Sequence, residues 1–495
     1  MQKSIQLLFI SLLTIVFSAL MYYFSTGLNF FWPLVWFAPL PIFLFGFYQK
    51  RLWLNFLVAT IAYFLGGLSI LNYPSRMPLG LFTLNTFIGA ISFAVILLLS
   101  IYLMKKSAKW WSIFLFPALT TILEYLMRNN IDSGTLGSLA YTQVDFRPLI
   151  QMVSLTGIWA VTFLLSFFAS TISFFIYFRR SKNHQIQTSI AFFVMLFLLI
   201  FTLIFGALRL LNQQIPQDII KIGVLSIPES IKELKSNHAD ISTTIANRFI
   251  NELPRLKNKG AEIILLPEKI LQTNNQNNLL LVRKFQQAAK DNHVMLVFGL
   301  RQNIDNKVYN TEFVISPEGK VINQYHKEHM LPASESYYTK GKEIKLVQLS
   351  DKSKIGLAIC KDMDFITPAI NYSKKGAGLL LVPALDFWVD AKAHQTPAIF
   401  RGIEGGYSLV RAAQWGLLTI TNQYGEIIQT KIVSDKRVVS IIANVPVYKG
   451  NTFYAKYGDW FIYICYILAI FSLLWLIFFI IKEKYGNFNV LIKST

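Results

Sequence analysis

The stretch Ile355-Gly356-Leu357-Ala358-Ile359-Cys360-Lys361-Asp362 decides how this chain is read. Its first five residues form an apolar run far too short to cross a bilayer, which reads as a buried strand at 355–359. The run stops on a thiol, an ammonium and a carboxylate. Ile263-Ile264-Leu265-Leu266-Pro267-Glu268 has the same form, an apolar run ending on an acid. Between the two, Tyr325-His326-Lys327 follows a turn at Pro317-Glu318-Gly319. Further strand candidates lie at 219–227, 295–299, 312–315, 379–382 and 417–421, and segments 239–258 and 279–292 space their apolar residues as helices do. Such alternation implies an α/β layered domain.

Outside that domain the composition changes. Hydrophobic residues make up 54% of the chain and charged residues 15%, and mean hydropathy is +0.44. Before position 212 the acidic residues are Glu124, Asp132 and Asp145 alone. A helix crossing ~30 Å of hydrocarbon needs roughly 20 apolar residues. Eight runs meet this, at 5–24, 28–48, 52–71, 79–104, 110–127, 149–178, 189–210 and 460–481. Lys3 ahead of the first run resembles a signal peptide, but the run's length and the spans behind it favour a retained helix. Pro33, Pro39 and Pro41 predict a kinked or re-entrant second segment. The expected organisation is a polytopic α-helical membrane domain over 1–211, a soluble α/β domain over 212–459, and a last span with its tail over 460–495.

Basic residues set the orientation. With the N-terminus in the cytoplasm, the inner loops hold Lys50, Arg51, Lys105, Lys106, Lys109, Arg179, Arg180 and Lys182, and the tail adds Lys482, Lys484 and Lys493. The outer loops hold Arg76, Arg128 and Arg147. The positive-inside rule then puts both termini in the cytoplasm and the α/β domain outside it. The net charge of +20 is not a nucleic-acid signature, because the middle segment carries 31 of the 47 basic and 23 of the 27 acidic residues, about +8 net, with no basic stripe interleaved with aromatics. Mild positive charge beside a bilayer suits anionic headgroups. Of the two cysteines, Cys465 lies in the final apolar run, which leaves Cys360 as a free thiol.

A thiol, a carboxylate and an ammonium are the parts of cysteine acyl transfer. A nearby cation favours the thiolate, a carboxylate serves as general base, and the ammonium with a peptide N–H after Cys360 stabilises an oxyanion. Each residue also has a plainer reading. A strand-end cysteine is often a small hydrophobe, Glu268 would serve as a helix cap, and Lys327 as a solvated cation.

At these residues the chain resembles the apolipoprotein N-acyltransferases, the membrane-bound branch of the nitrilase superfamily. Leu266-Pro267-Glu268 is similar to that family's catalytic glutamate motif. Tyr325-His326-Lys327-Glu328-His329-Met330-Leu331-Pro332 resembles its lysine motif, with Glu335 at a further glutamate position, and Ile359-Cys360 its nucleophile motif. Phe400-Arg401-Gly402-Ile403-Glu404, with Arg411 and Gly416, matches a downstream segment. Phe453-Tyr454-Ala455-Lys456-Tyr457-Gly458-Asp459-Trp460 resembles the lead into the last span, and Leu139-Ala140-Tyr141-Thr142-Gln143 a short membrane-half motif. The resemblance implies a nitrilase-like αββα sandwich in a bacterial inner-membrane protein. It implies Glu268 as base, Lys327 as oxyanion and thiolate stabiliser and Cys360 as nucleophile, with no cofactor. Acyl would pass from a phospholipid, through a Cys360 thioester, to the α-amine of a lipoprotein's diacylglyceryl-cysteine. Glu335, Lys361 and Asp362 would support or position substrate.

The chain departs from that pattern in places. Lys361-Asp362 stands where the family has Tyr-Glu, Ala333-Ser334-Glu335 replaces Phe-Gly-Glu, and Glu233, after Ile227-Pro228-Glu229-Ser230, occupies an expected tryptophan position. These leave a different acyl acceptor open. A membrane-tethered amidase or esterase using water, and a non-catalytic lipid-binding protein, are the other readings. His326 and His329 at i, i+3 form no evident zinc site, which wants three or four ligands, and His394 reads as a hydrogen-bonding loop residue. Tyr337, Tyr338, Phe387 and Trp388 read as interface anchors or core.

Overall fold

A computed structural model describes residues 2–71, 79–130, 134–227, 239–272, 278–332, 334–433 and 437–493. Arg76, Asp132, Ala333 and the segment from Pro228 through Glu233 lie outside the described residues.

In the first half, α1 (Gln2–Ser25), α2 (Pro33–Phe37), α3 (Leu40–Tyr48), α4 (Leu52–Gly67), α5 (Leu79–Ser107) and α6 (Leu115–Asn130) are followed by the short α7 (Arg147–Ile150) and α8 (Val153–Thr156), then by α9 (Trp159–Phe178) and α10 (Gln185–Leu211). Among the described residues, seven helical segments, including the last one of the chain, are long and apolar enough to cross a membrane. The run expected at 28–48 is instead two short helices. Pro33 and Pro41 each sit in a first helical turn, where the missing N–H is harmless, and Pro39 breaks the ladder between them. The run at 149–178 is also broken. Gly157 takes φ +65°, and the Tyr454 ring packs where a Cβ would stand, 2.5 Å away. Phe43, Phe93, Phe116, Phe167 and Phe174 fill the centre of this bundle.

The second half folds as β1 (Asp218–Ser226), α11 (Ala239–Asn258), β2 (Ile263–Leu265), β3 (Leu271–Gln272), α12 (Asn278–Asn292), β4 (Met295–Ile304), β5 (Lys307–Ile315), β6 (Val321–His326), β7 (Leu346–Gln348), β8 (Lys354–Leu357), α13 (Ile366–Lys374), β9 (Ala377–Leu385), α14 (Ala391–Gly405), β10 (Ser408–Gln414), β11 (Leu417–Thr421), β12 (Ile427–Ile432) and β13 (Val439–Val447), then α15 (Phe453–Tyr457) and α16 (Trp460–Lys493). One sheet runs β13-β1-β2-β4-β5-β6, with β3 beside β4, and the other runs β12-β11-β10-β9-β8-β7. In each sheet the central trio is parallel and the edges antiparallel.

Side-chain alternation along a strand sorts each run between two cores. Ile263 and Leu265 face the other sheet, against Leu379, Leu381 and Val410. Ile264 and Leu266 face α11 and α12, with Phe249, Leu253 and Phe285. On the second sheet Leu380 and Val382 turn outward onto α13 and α14, with Tyr372 and Ala398. The result is a helix–sheet–sheet–helix sandwich. Strands buried on both faces read as unbroken apolar runs, which is why the central ones stand out in the sequence. Edge strands such as β6, with Asn323, Gln324 and His326, do not.

Helix α14 also has a second apolar face. Ile399, Phe400 and Ile403 pack against Tyr141, Leu149, Ile150, Val153 and Trp159 of the membrane half. The Trp159 indole donates to Asp459 Oδ1 at 2.6 Å, and the Trp460 indole donates to the Leu155 carbonyl at 2.7 Å. Gln151 Nε2 donates to the Tyr424 carbonyl at 3.0 Å. The two halves are tied by apolar and polar contacts alike.

Candidate active site

β2, β8 and β9 end near one another, beside the middle of β4, so residues just past these ends share one edge of the sandwich. Glu268 follows β2 through Leu266 and Pro267. Its backbone is fixed by an N–H bond to the Ala384 carbonyl on β9 and by close approach to β4: a Cβ on Gly299 would stand 2.7 Å from the Glu268 Cα. Glycine there lets the two backbones touch.

The Glu268 side chain is 1% exposed. Its Oε1 accepts from Lys327 Nζ at 2.9 Å and from Asn310 Nδ2 at 2.6 Å. Lys327 continues from β6, is fully buried, and donates also to Glu335 Oε2 at 2.8 Å. The Leu331 N–H adds a bond to that oxygen at 3.0 Å. Lys269 closes the cluster, paired with Glu335 Oε1 and 3.6 Å from Glu268 Oε1. Two carboxylates and two ammoniums thus neutralise one another inside the protein, as buried charges must. Burial would depress the Lys327 ammonium, but Glu268 and Glu335 outweigh it and hold its pKa well above the ordinary lysine value. Burial would likewise raise the Glu335 carboxyl, but Lys327 and Lys269 hold it far below the usual range.

Cys360 opens a 3-10 turn, Cys360–Asp364, directly after β8. Its φ is +45°, in the left-handed region that costs a non-glycine residue about 1–3 kcal/mol. The thiol is buried, with Sγ 4.0 Å from the Leu385 carbonyl and from Asp386 Oδ1. Asp386 is held by a bidentate pairing with Arg411, whose Nη2 lies 2.7 Å from Oδ1. Gly416 leaves room for that carboxylate, since a Cβ there would stand 2.7 Å from Asp386 Oδ2. Burial pushes the Cys360 thiol well above its ordinary pKa. Glu268 adds to this, Lys327 opposes it, and Asp386 and Arg411 act in the same opposed way. The cluster and the thiol therefore form one electrostatic unit in which burial and Glu268 favour the neutral thiol over the thiolate.

Asp362 lies under the turn as a staple. Its Oδ2 accepts from Tyr325 Oη at 2.8 Å and from the Ile359 N–H at 2.9 Å. Its Oδ1 accepts from the His329 N–H at 2.8 Å and the Glu328 N–H at 3.2 Å. The Cys360 turn and the Lys327 loop are thereby one unit, and the shorter aspartate reaches all four donors. Lys361 points to Asp364, 3.8 Å away, and lies over the Phe365 ring. His326 bonds Thr311 Oγ1 at 2.9 Å, and His329 stacks on Phe365 with ring centroids 3.7 Å apart. Among the described residues no group of three or more histidine, cysteine or acidic side chains is arranged to hold a metal ion.

His394 pairs with Asp390 at 3.6 Å. Burial would lower its pKa, but Asp390 with Asp386 and Asp364 raise it. Tyr337 is exposed and stacks on Tyr338, with Arg301 and Lys269 over the two rings. Phe387 stacks on Trp415, while Trp388 is exposed.

Sequence reasoning passed over Asn310, Lys269 and Asp386. Asp386 had a usable signal: it ends the apolar run of β9 as Glu268 ends that of β2. Lys269 adjoins Glu268 but reads as an ordinary surface lysine, and Asn310 lies mid-strand with nothing local to mark it.

Comparison with known proteins covers both halves. Residues 18–171 match the family described as apolipoprotein N-acyltransferase N-terminal domain, and residues 223–436 match carbon-nitrogen hydrolase. An apolipoprotein N-acyltransferase of Thermotoga maritima is 25% identical over 81% of this chain and 78% of its own length. One of Haemophilus ducreyi is 24% identical over 71% of this chain and 73% of its own. Among solved structures, an amidase from Nesterenkonia sp. aligns at 16% identity and a TM-score of 0.41, covering 46% of this chain and 91% of that one.

Proposed function

Because the chain belongs to the apolipoprotein N-acyltransferase family, we propose that Cys360 carries a fatty acyl group as a thioester between a membrane phospholipid and a lipoprotein amine. The protein is an acyltransferase of the bacterial inner membrane. Its membrane domain spans 1–211, its catalytic domain 212–459 lies outside the cytoplasm, and a last span and cytoplasmic tail follow at 460–495. One observation carries the mechanism: Glu268, paired with Lys327 in a buried cluster with Glu335, and the buried Cys360 thiol meet at the same end of β9, where the Glu268 N–H bonds the Ala384 carbonyl and Sγ lies 4.0 Å from the Leu385 carbonyl.

A thiol kept neutral by burial needs a base at the moment of attack. Glu268 takes the thiol proton as Sγ adds to the ester carbonyl of the donor. The oxyanion is stabilised by the Lys327 ammonium and the peptide N–H after Cys360. The ester C–O bond then breaks, Glu268 returns the proton to the leaving lysophospholipid, and the acyl group stays on sulfur. In the second half-reaction the α-amine of a diacylglyceryl-cysteine attacks the thioester and Glu268 takes its proton. Sγ leaves and is reprotonated. Glu335 keeps Lys327 charged and aimed, and Asp362 holds the nucleophile turn against the lysine loop. Both substrates are lipid-anchored, so a site tethered at the bilayer meets them at high effective concentration, and its burial keeps water from the thioester.

The test is incubation of the purified protein with labelled phospholipid and a diacylated lipopeptide. Label is expected first on Cys360 and then on the peptide amine, with both lost in Cys360→Ala. Free fatty acid with no labelled peptide would replace this reading with hydrolysis.

A further inference from the structure

The turn that carries Cys360 is clamped at its far end by a residue of the membrane half. The Asp364 carbonyl accepts two bonds from Thr135, from the N–H at 2.7 Å and from Oγ1 at 2.6 Å. Thr135 lies in the loop after α6, 229 residues away in the sequence. Its hydroxyl also contacts Tyr141 Oη at 2.6 Å, and Arg401 Nη2 donates to Tyr141 Oη at 2.9 Å. Arg401 is held in turn by Glu404 at 2.7 Å. Since Thr135 gives its proton to the carbonyl, Tyr141 must give its own to Thr135. The line Arg401–Tyr141–Thr135–Asp364 therefore runs in one donor direction, in which each bond polarises the next. All four residues are at least nine-tenths buried. Gly134 permits the approach: at φ +57°, a Cβ there would lie 2.5 Å from the Asp364 carbonyl oxygen.

We infer that Thr135, aligned by Tyr141 and Arg401, is a positioning residue for the nucleophile, supplied to the catalytic turn by the membrane half. The reason lies in the backbone of Cys360. A non-glycine residue at φ +45° persists only where its surroundings over-determine it. Asp362 pins the near end of the turn through the Ile359 N–H. Thr135 pins the far end, and a turn held at both ends fixes the sulfur at the end of β9, within the electrostatic reach of Lys327 and Glu268.

The inference rests on the proposed thioester for its kinetic readout alone, and a second readout does not depend on it. In full-length protein, single-turnover acylation of Cys360 by labelled phospholipid is compared with iodoacetamide alkylation of the same thiol across pH, both read by peptide mass. Thr135→Val, which keeps the N–H bond and the shape, is expected to slow acylation about tenfold at saturating lipid, a misplaced nucleophile being that costly. Half-saturating lipid should not change, and the alkylation midpoint should move to lower pH, because burial and Glu268, which both hold the thiol pKa up, lose their hold on a displaced sulfur. Thr135→Ser should stay within about twofold of wild type in both assays. Tyr141→Phe, whose ring still packs edge-on against Phe400, should fall between them, and it decides the matter if Thr135→Val does not fold. Wild-type behaviour of Thr135→Val, or a Thr135→Ser as slow as the valine, overturns the inference. So does a loss confined to half-saturation. If wild type forms no acyl-enzyme, the proposed function fails, and the alkylation profiles still decide the role of Thr135.

Discussion

Glu268 touches Lys327 and Asn310 directly but acts on Cys360 only through space, and that arrangement separates two effects that are usually confounded. Its charge raises the thiol pKa, yet in the proposed reaction its oxygen removes the thiol proton. Glu268→Gln should therefore move two measurements in opposite directions. Without the negative charge, Lys327 and Arg411 favour the thiolate, so the pH midpoint of Cys360 alkylation falls and alkylation at pH 8 quickens. Without the base, acyl transfer drops by about 10²–10⁴-fold. Mass-spectrometric alkylation and label transfer on one preparation check both. A parallel loss in the two assays would mean that the glutamate only shapes the pocket. At this scale Glu268, Lys327 and Cys360 were legible as candidates, because a charged or nucleophilic group capping an apolar strand breaks the local pattern. Lys269, Asn310 and Asp386 were not picked out, since what each does depends on a partner that only folding brings near.

Strands bring these residues together by where they stop. Glu268 and Asp386 leave neighbouring layers at the same edge because β2 and β9 are parallel members of facing sheets, joined by the Glu268 N–H to Ala384 bond. Gly299 on β4 sets how closely the Glu268 backbone can approach. Gly299→Ala would put a methyl 2.7 Å from the Glu268 Cα and 2.8 Å from the Lys269 nitrogen, and backbone cannot rotate away as a side chain can. The expected cost is about 1–3 kcal/mol of stability. Label transfer should fall at least tenfold where Glu268 is displaced by as much as an ångström. Thermal melting and the label-transfer assay read the two separately, and a destabilised but fully active variant would contradict this account. Among elements, the double-sided strands and the long spans were readable. The prolines also announced the break within 28–48. The break at Gly157 was not readable, because the cause is a tyrosine ring from position 454 and not any local feature of an apolar run.

Across the whole molecule the membrane half and the sandwich share one interface, built from α14, the loop around Thr135 to Tyr141 and the start of α16. Asp459 accepts from both Trp159 and Tyr454 Oη at 2.6 Å, which ties the entry of the last span to α9. The proposed side of the sandwich follows from the basic loops. A reporter active only outside the cytoplasm is expected to be active when fused after Lys307 and silent when fused after Lys182 or Lys482. The reverse pattern would put the site on the wrong side for its proposed substrates.

Composition and periodicity by themselves determined that apolar spans flank an α/β domain and which strands are buried on both faces, and they marked Glu268, Lys327 and Cys360 as candidates. These are properties of consecutive residues, and a chain carries them before it folds. The tertiary structure alone decided that Lys269 neutralises the second glutamate, that Asp386, paired with Arg411, lies beside the sulfur, and that Thr135 of the membrane half holds the Cys360 turn. Those contacts join residues tens to hundreds of positions apart, and no local pattern encodes a neighbour that only long-range packing supplies.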